Sequence, residues 1–340
     1  MRFFITGHTG FKGSWLALML QLQGHEVFGY SLNPLDDGIF ESANVGAKIS
    51  RDVRGDIRDV NSLQNALKSA SPDVVVHMAA QPLVRASYEN PTETFEINVT
   101  GTLNVLEATR RLSSPKALAV ITTDKVYLNL EEGKPFKESD ALGSGDPYST
   151  SKAMADLLTQ TWSKSITNCP VGIFRAGNVI GGGDVAENRL IPDLMRSQKS
   201  GNFPKLRNPN SIRPWQHVLD CLFGYRAAIN WMLDKHESTI LNFGPLSDVY
   251  KTVGEVATEY IKLSKGRDWV LDNSKSLPEA KLLALDSTKA RQVLGWRDIF
   301  SLEETLIATN DWYYAQSQKV PMYEFTKHQI EKHLSRGTSS

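Results

Sequence analysis

Cysteine is nearly missing from this chain: its 340 residues hold two, Cys169 and Cys221. Neither stands in a paired spacing such as C-x-x-C, so the sequence offers no disulfide framework and no thiolate metal cluster. Both read as small buried hydrophobes in a protein of the reducing cytoplasm. Net charge is missing too. Lys+Arg and Asp+Glu number 38 each, which removes the electrostatic footing for binding nucleic acid or a membrane surface. No apolar run approaches the roughly 20 residues of a membrane span. Low-complexity tracts and internal repeats are absent as well. The opening residues Met1 to Gly7 read as a strand entering a glycine turn, without the apolar core and cleavage site of a secretory leader. His217 has no other His or Cys close by in sequence, so no metal site is expected.

What the chain does contain is alternation. Arg2–Thr6 is a short apolar strand, Gly13–Gln23 carries apolar residues at helical spacing, and Glu26–Tyr30 reads as a second strand. Asn61–Ser69 is expected to be a helix capped by Asn61. Asp73–Met78 is Val-rich along its length, as a strand covered on both faces would be. A long helix over Thr92–Leu112 precedes the strand Ala117–Thr122. Asp146 and Pro147 then open another helix, a good N-cap followed by proline at the first helical position. Val171–Arg175 closes the series. Repeated strand–helix units predict an α/β fold built on a doubly wound parallel sheet.

After Gly177 the pattern breaks into loops rich in glycine and proline, with short helices. Leu219–Leu233 and Leu241–Gly244 are expected to rejoin the first half. We therefore expect residues 1–177, together with 215–245, to form one lobe. Residues 178–214 and 246–335 would form a smaller lobe interleaved with it, ending in a polar carboxyl tail.

Gly7-x-x-Gly10-x-x-Gly13 joins the first strand to the first helix. Glycines there permit a tight turn and close approach of backbone to a pyrophosphate, which the helix amino terminus then faces. The segment Gly7-His8-Thr9-Gly10-Phe11-Lys12-Gly13 is thus the expected dinucleotide loop, and the sheet is Rossmann-like. The second strand ends at Ser31, where an acidic residue usually holds the adenosine ribose. No Arg or Lys follows immediately to bind a 2′-phosphate, so NAD is favoured over NADP. Asp56 and Ile57 are placed at the adenine, and the small residues of Ala79-Ala80-Gln81 let a cofactor lie against the end of the Val-rich strand.

The strand Ala117–Thr122 delivers Thr123, Asp124 and Lys125 at its carboxyl end, where open α/β sheets bind ligands. Tyr148 and Lys152 lie four residues apart, on one face of the next helix. A phenol, two ammonium groups, a carboxyl and a hydroxyl therefore converge on one crevice, a set suited to proton transfer. In the second lobe, Gly181-Gly182-Gly183-Asp184 suits a loop over a phosphorylated ligand, and Arg189, Arg207 and Arg213 are candidate phosphate clamps. Arg213 is the best placed of these, beside Pro214 and Trp215.

On these residues the chain resembles the extended short-chain dehydrogenase/reductase family, and within it the nucleotide-sugar 4,6-dehydratases that act on CDP-glucose. The segments that carry the resemblance are Thr6 to Gly13, Gly55 to Asp59, Ala79 to Arg85, Thr123-Asp124-Lys125 and Asp146 to Ser149 with Lys152. Arg175 to Asp184, Arg207 to Pro209 and Arg213 to His217 continue it. A Lys at position 125, where dehydratases of other nucleotides commonly carry Glu, points to the CDP-glucose group.

The resemblance implies a reaction cycle. Tyr148 takes the proton of the sugar C4 hydroxyl while hydride passes to NAD, with Lys152 supporting the phenolate and Thr123 holding the same oxygen. Lys125 then removes the C5 proton and Asp124 protonates the departing C6 hydroxyl, after which hydride returns to C6. Tyr148 and Lys152 would contact the cofactor as well, and Arg85, Asn178 and His217 would join the three arginines at the substrate. A homodimer is implied through the helices Thr92–Leu112 and Pro147–Lys164, with a tetramer as the alternative.

Two rival readings stay open. A nucleotide-hexose 4-epimerase or keto-sugar reductase on the same scaffold needs Tyr148, Lys152 and a hydroxyl, but no acid and base at 124 and 125. A non-catalytic NAD-binding regulator would need none of them.

Overall fold

The structure, a computed structural model, describes residues 1–143, 145–246, 250–273 and 280–338. Seven parallel strands form the central sheet, in the spatial order Thr239–Phe243, Val171–Ala176, Ala117–Ile121, Val74–His77, Arg2–Thr6, Glu26–Ser31, Arg51–Arg54. Chain order reverses between the first strand and Val74–His77, which opens a crevice at their carboxyl ends. Thr6 lies beside His77 in register, and Ile121 beside Phe174. Gly7, Met78, Thr122 and Gly177 are therefore brought to one edge of the sheet.

Burial on both faces explains the unbroken apolar strands. Phe3, Ile5, Val74 and Val76 pack on one side with Trp15, Leu16 and Met19 of the first helix. Phe4, Val75, Leu118 and Val120 pack on the other with Leu63, Leu67, Val105 and Leu106. The helix Val218–Lys235 and the strand Thr239–Phe243 do return to this sheet, the strand pairing with Val171–Ala176 as an edge.

Three expectations are corrected. The helix at Asn61 is Val60–Ala70, and its cap is Asp59, whose carboxylate accepts from the Ser62 amide at 3.0 Å. An anionic acceptor just before the first turn answers the helix dipole better than the Asn inside it. The long helix is not uniform: Val84–Glu89 ends before Pro91, Pro91–Phe95 follows, and a π-helical turn over Glu96–Thr100 leads into Gly101–Arg110. Pro91 disfavours helical geometry at Asn90, and the π turn redirects Asn98 into the interior.

The carboxyl end is not a tail. Met322–Thr338 is a helix whose Met322, Thr326, Ile330 and His333 are buried at three- and four-residue spacing. His333 Nε2 hydrogen-bonds Asp220 Oδ1 at 2.7 Å, and Tyr323 donates to Gln21 Oε1 on the first helix at 3.4 Å. Polar residues on the outer face hid this stripe. Among the described residues, no helix is long and apolar enough to cross a membrane.

Candidate active site

One cleft of about 680 Å³ runs across the carboxyl edge of the sheet. At one end lies the glycine turn. Gly7 has φ +78°, and a Cβ there would fall 2.7 Å from the Ala79 amide nitrogen. A Cβ on Gly13 would fall 2.1 Å from the Gly7 carbonyl oxygen. Only glycine permits these contacts. The helix Phe11–Leu22 starts at Gly10 with no side chain capping it, so its first amides are left to face the cleft.

Thr9, Phe11, Lys12, Ser31, Asp56, Ile57, Ala79 and Ala80 line the same end. Ser31 and Thr9 join their hydroxyls at 2.8 Å where a carboxylate usually stands. Asp56 is held by the Arg58 guanidinium at 2.7 Å, which keeps its carboxyl below the ordinary value. A loop that accepts no Cβ, an uncapped helix terminus and neutral hydroxyls beyond it fit the phosphates and ribose of NAD. Lys12 turns inward, its Nζ 3.5 Å from the Tyr225 hydroxyl, and burial lowers its pKa.

Two expected members of this group face elsewhere. The His8 ring is buried beside Gly29, where any Cβ would strike it, and bonds Asp52 Oδ1 at 2.8 Å. Gln81 folds into its own turn, bonding the Leu83 amide at 2.6 Å and the Thr94 hydroxyl at 2.9 Å. Their side chains do not line the cleft.

The middle of the cleft holds Thr123, Asp124, Lys125, Tyr148 and Lys152 together. Asp124 to Val126 form a 3₁₀ turn directly after the strand, with Thr123 as its cap. Tyr148 and Lys152 come from the helix Pro147–Ser165, whose Asp146 cap accepts from the Ser149 amide at 2.9 Å. The Thr123 hydroxyl donates to Asp124 Oδ1 at 2.9 Å and lies near enough to Tyr148 to favour its phenolate. Asp124 Oδ2 is buried without a partner, and desolvation raises the carboxyl's pKa against the nearby charge of Lys125. This is a carboxyl disposed to keep a proton.

Tyr148 is buried as well. Burial pushes its phenol up to about 12, not down toward neutrality, with the Thr123 hydroxyl opposing. Lys152 Nζ donates to the Ile121 carbonyl at 2.9 Å and is itself lowered to about 8, by desolvation first and the charge of Lys12 next. Burial thus works against the phenolate, and a bound positive charge beside it would favour it.

Arg85, Asn178, Arg189, Arg207 and Arg213 line the remaining length. Arg189 pairs with Asp184 at 2.8 Å, and Arg213 Nη1 donates to the Ile212 carbonyl at 2.9 Å. His217 does not reach the cleft: it caps the helix Val218–Lys235, Nδ1 accepting from the Leu219 amide at 3.2 Å, and burial lowers it to about 3. Nor are the three glycines a free loop. A Cβ on Gly182 would meet Trp312 at 2.0 Å, and Gly183, at φ +79°, packs on Ile39.

Sequence reasoning missed the residues that aim Tyr148. Ser87 is buried and accepts from the Tyr148 amide at 3.1 Å. Asn98, in the π turn, bonds the Gln81 amide at 2.9 Å and donates to Ser151 Oγ at 2.9 Å, while Ser151 donates to the Tyr148 carbonyl at 2.7 Å. The available signal was a polar Asn on the inward face of an amphipathic segment.

The family model for GDP-mannose 4,6 dehydratase matches residues 4–309. The CDP-glucose 4,6-dehydratase of Salmonella typhimurium is 41% identical over 99% of this chain and 97% of its own length. Among solved structures, MoeE5 in complex with UDP-glucuronic acid and NAD superposes with a TM-score of 0.81 at 25% identity, covering 93% of this chain and all (100%) of that one. The dTDP-glucose 4,6-dehydratase of Bacillus anthracis, solved with NAD, gives a TM-score of 0.77 at 24% identity over 94% and 98% of the two chains, a likeness of fold. The chain therefore belongs to the GDP-mannose 4,6 dehydratase family of extended short-chain dehydrogenase/reductases.

Proposed function

We propose that this chain is an NAD-dependent CDP-glucose 4,6-dehydratase, converting CDP-D-glucose to CDP-4-keto-6-deoxy-D-glucose and water. The observation that carries the reading is Asp124: a buried carboxyl with one oxygen unpartnered, one hydrogen bond from Thr123 and beside the Tyr148–Lys152 pair. An epimerase has no use for an acid there. The 41% identity to a CDP-glucose enzyme supports the nucleotide.

Tyr148 takes the proton of the C4 hydroxyl as that carbon is oxidised, and Thr123 holds the oxygen. NAD supplies a hydride acceptor that is regenerated within the turnover and a positive charge that helps form the phenolate. Lowering a phenol from about 12 to neutrality takes roughly 7 kcal/mol of anion stabilisation, at 1.36 kcal/mol per unit. The Lys152 ammonium shares that load. With C4 a ketone, C5 is acidic, and Lys125 removes its proton. Asp124 gives its proton to the C6 hydroxyl, which leaves as water. With NAD bound, its reduced form would supply the hydride for C6, while Lys125 returns a proton to C5 to complete the 6-deoxy sugar. Arg189, Arg207 and Arg213 hold the diphosphate, with Arg85 and Asn178 at the sugar.

The two-lobe division, with residues 1–177 and 215–245 binding NAD, is part of this proposal. So is a homodimer through the helices Gly101–Arg110 and Pro147–Ser165, whose Leu103, Met154 and Leu157 stand exposed. Two free thiols fit a cytoplasmic enzyme.

Incubation with CDP-glucose deuterated at C4 tests the reaction. Loss of one water with deuterium retained at C6 is the expected result. An unchanged mass with C4 inverted would make the enzyme an epimerase.

A further inference from the structure

The cleft has further lining residues besides the arginines. Leu190, Leu194, Leu206 and Val253 line it, together with Lys205 and Asn208, and Asp193 is the one carboxylate that the helix Leu190–Ser200 brings among them. Asp193 lies in the first turn of the helix Leu190–Ser200. Its Oδ1 accepts from Arg196 Nη2, and Arg196 is itself fixed by donating to the Val185 carbonyl at 2.9 Å and the Ala186 carbonyl at 3.1 Å. The guanidinium thus sets the direction of the carboxylate while occupying one of its two oxygens. A carboxylate offers about four lone-pair sites, so acceptor capacity remains for a ligand.

A diphosphate held by the arginines would place a flat, largely apolar nucleobase against these aliphatic side chains. An ionised carboxylate accepts hydrogen bonds and cannot donate them. Cytosine carries an amino donor at position 4, where thymine and uracil carry a carbonyl oxygen. We propose that Asp193 reads the nucleobase of the substrate, accepting from the exocyclic amine of cytosine and repelling the carbonyl that replaces it in uracil or thymine. The inference rests on the dehydratase reading and deepens it by naming the group that selects CDP. Repulsion of the wrong base matters as much as attraction of the right one.

The test compares the wild type with Asp193→Asn on CDP-glucose, UDP-glucose and dTDP-glucose, together with calorimetric dissociation constants for CDP and UDP on the NAD-loaded enzyme. A side-chain amide offers a donor or an acceptor, so it tolerates either base. The CDP-over-UDP preference is expected to fall on the order of tenfold or more in kcat/KM, carried by KM and mirrored in the ratio of dissociation constants. Wild-type turnover of CDP-glucose with an unchanged preference in Asp193→Asn, or equal weakening of both nucleotides, overturns the role of Asp193 and leaves the dehydratase standing. A wild type that binds CDP and UDP equally overturns it without recourse to the variant. No water loss from any of the three sugars overturns the dehydratase reading itself.

Discussion

The hydroxyl of Thr123 donates to Asp124 Oδ1 at 2.9 Å, so the residue proposed to hold the C4 oxygen in the first step is bonded to the proposed acid of the second. Bound substrate would exchange this bond for one from Thr123 to its C4 oxygen and one from Asp124 to its C6 hydroxyl. The two steps are separable by mutation.

Asp124→Asn keeps the acceptor for Thr123 and removes the proton donor. Oxidation at C4 should persist and water loss should fall by roughly 10²–10⁴ in rate, leaving a 4-keto-glucose and reduced cofactor on the enzyme. The absorbance of reduced nicotinamide in a single turnover reads this directly; a normal rate of water loss would remove Asp124 from the mechanism. The folded carboxyl is raised, so its stabilising contribution is present below pH 3.8 and lost as pH rises through the folded value. The variant should therefore be the more stable protein at pH 7, with the gap closing in acid.

Lys152 carries a cost of the opposite kind. Its ordinary value of 10.5 falls to about 8 in the folded protein, so between those values the unfolded chain binds more protons and stability rises with pH. Lys152→Met should lose activity yet resist urea better at pH 7, by up to roughly 3 kcal/mol. That advantage should shrink as pH approaches 10.5. A difference independent of pH would mean that the ammonium is not paying for its burial.

Ser31→Asp restores a carboxylate at the end of the second strand, in place of the hydroxyl pair with Thr9. It should accept from the ribose of NAD and repel a 2′-phosphate, raising the NADP-over-NAD ratio of dissociation constants by about tenfold or more. Fluorescence titration of the reduced cofactors measures it, and an unchanged ratio would move the ribose away from Ser31.

Gly13→Ala places a methyl 2.1 Å from a backbone oxygen that has no side-chain freedom to yield. NAD affinity should fall by about 100-fold, with a destabilisation of roughly 2 kcal/mol. Wild-type affinity in this variant would show that the turn is wider than described.

Much of the site was legible because its signals are local. Tyr148 and Lys152 face one way because a helix repeats every 3.6 residues. Thr123 to Lys125 reach the cleft because they follow a strand whose apolar run announces where it ends. The glycine turn was legible for the same reason. His8, Gln81 and His217 sit within the same segments, yet each turns its side chain into the protein. Asp52, Thr94 and the Leu219 amide, the partners that hold them, are fixed by packing rather than by neighbouring sequence.

The sequence by itself thus determined the parallel sheet, the loop for a dinucleotide and the reactive groups at the strand end, since periodicity and chain connectivity set all three. Only the tertiary structure decided that Ser87 and Asn98 aim Tyr148, that the carboxyl-terminal residues dock as a helix, and that burial raises the phenol. Those outcomes depend on burial and on partners distant in the chain, and neither is written in any one segment.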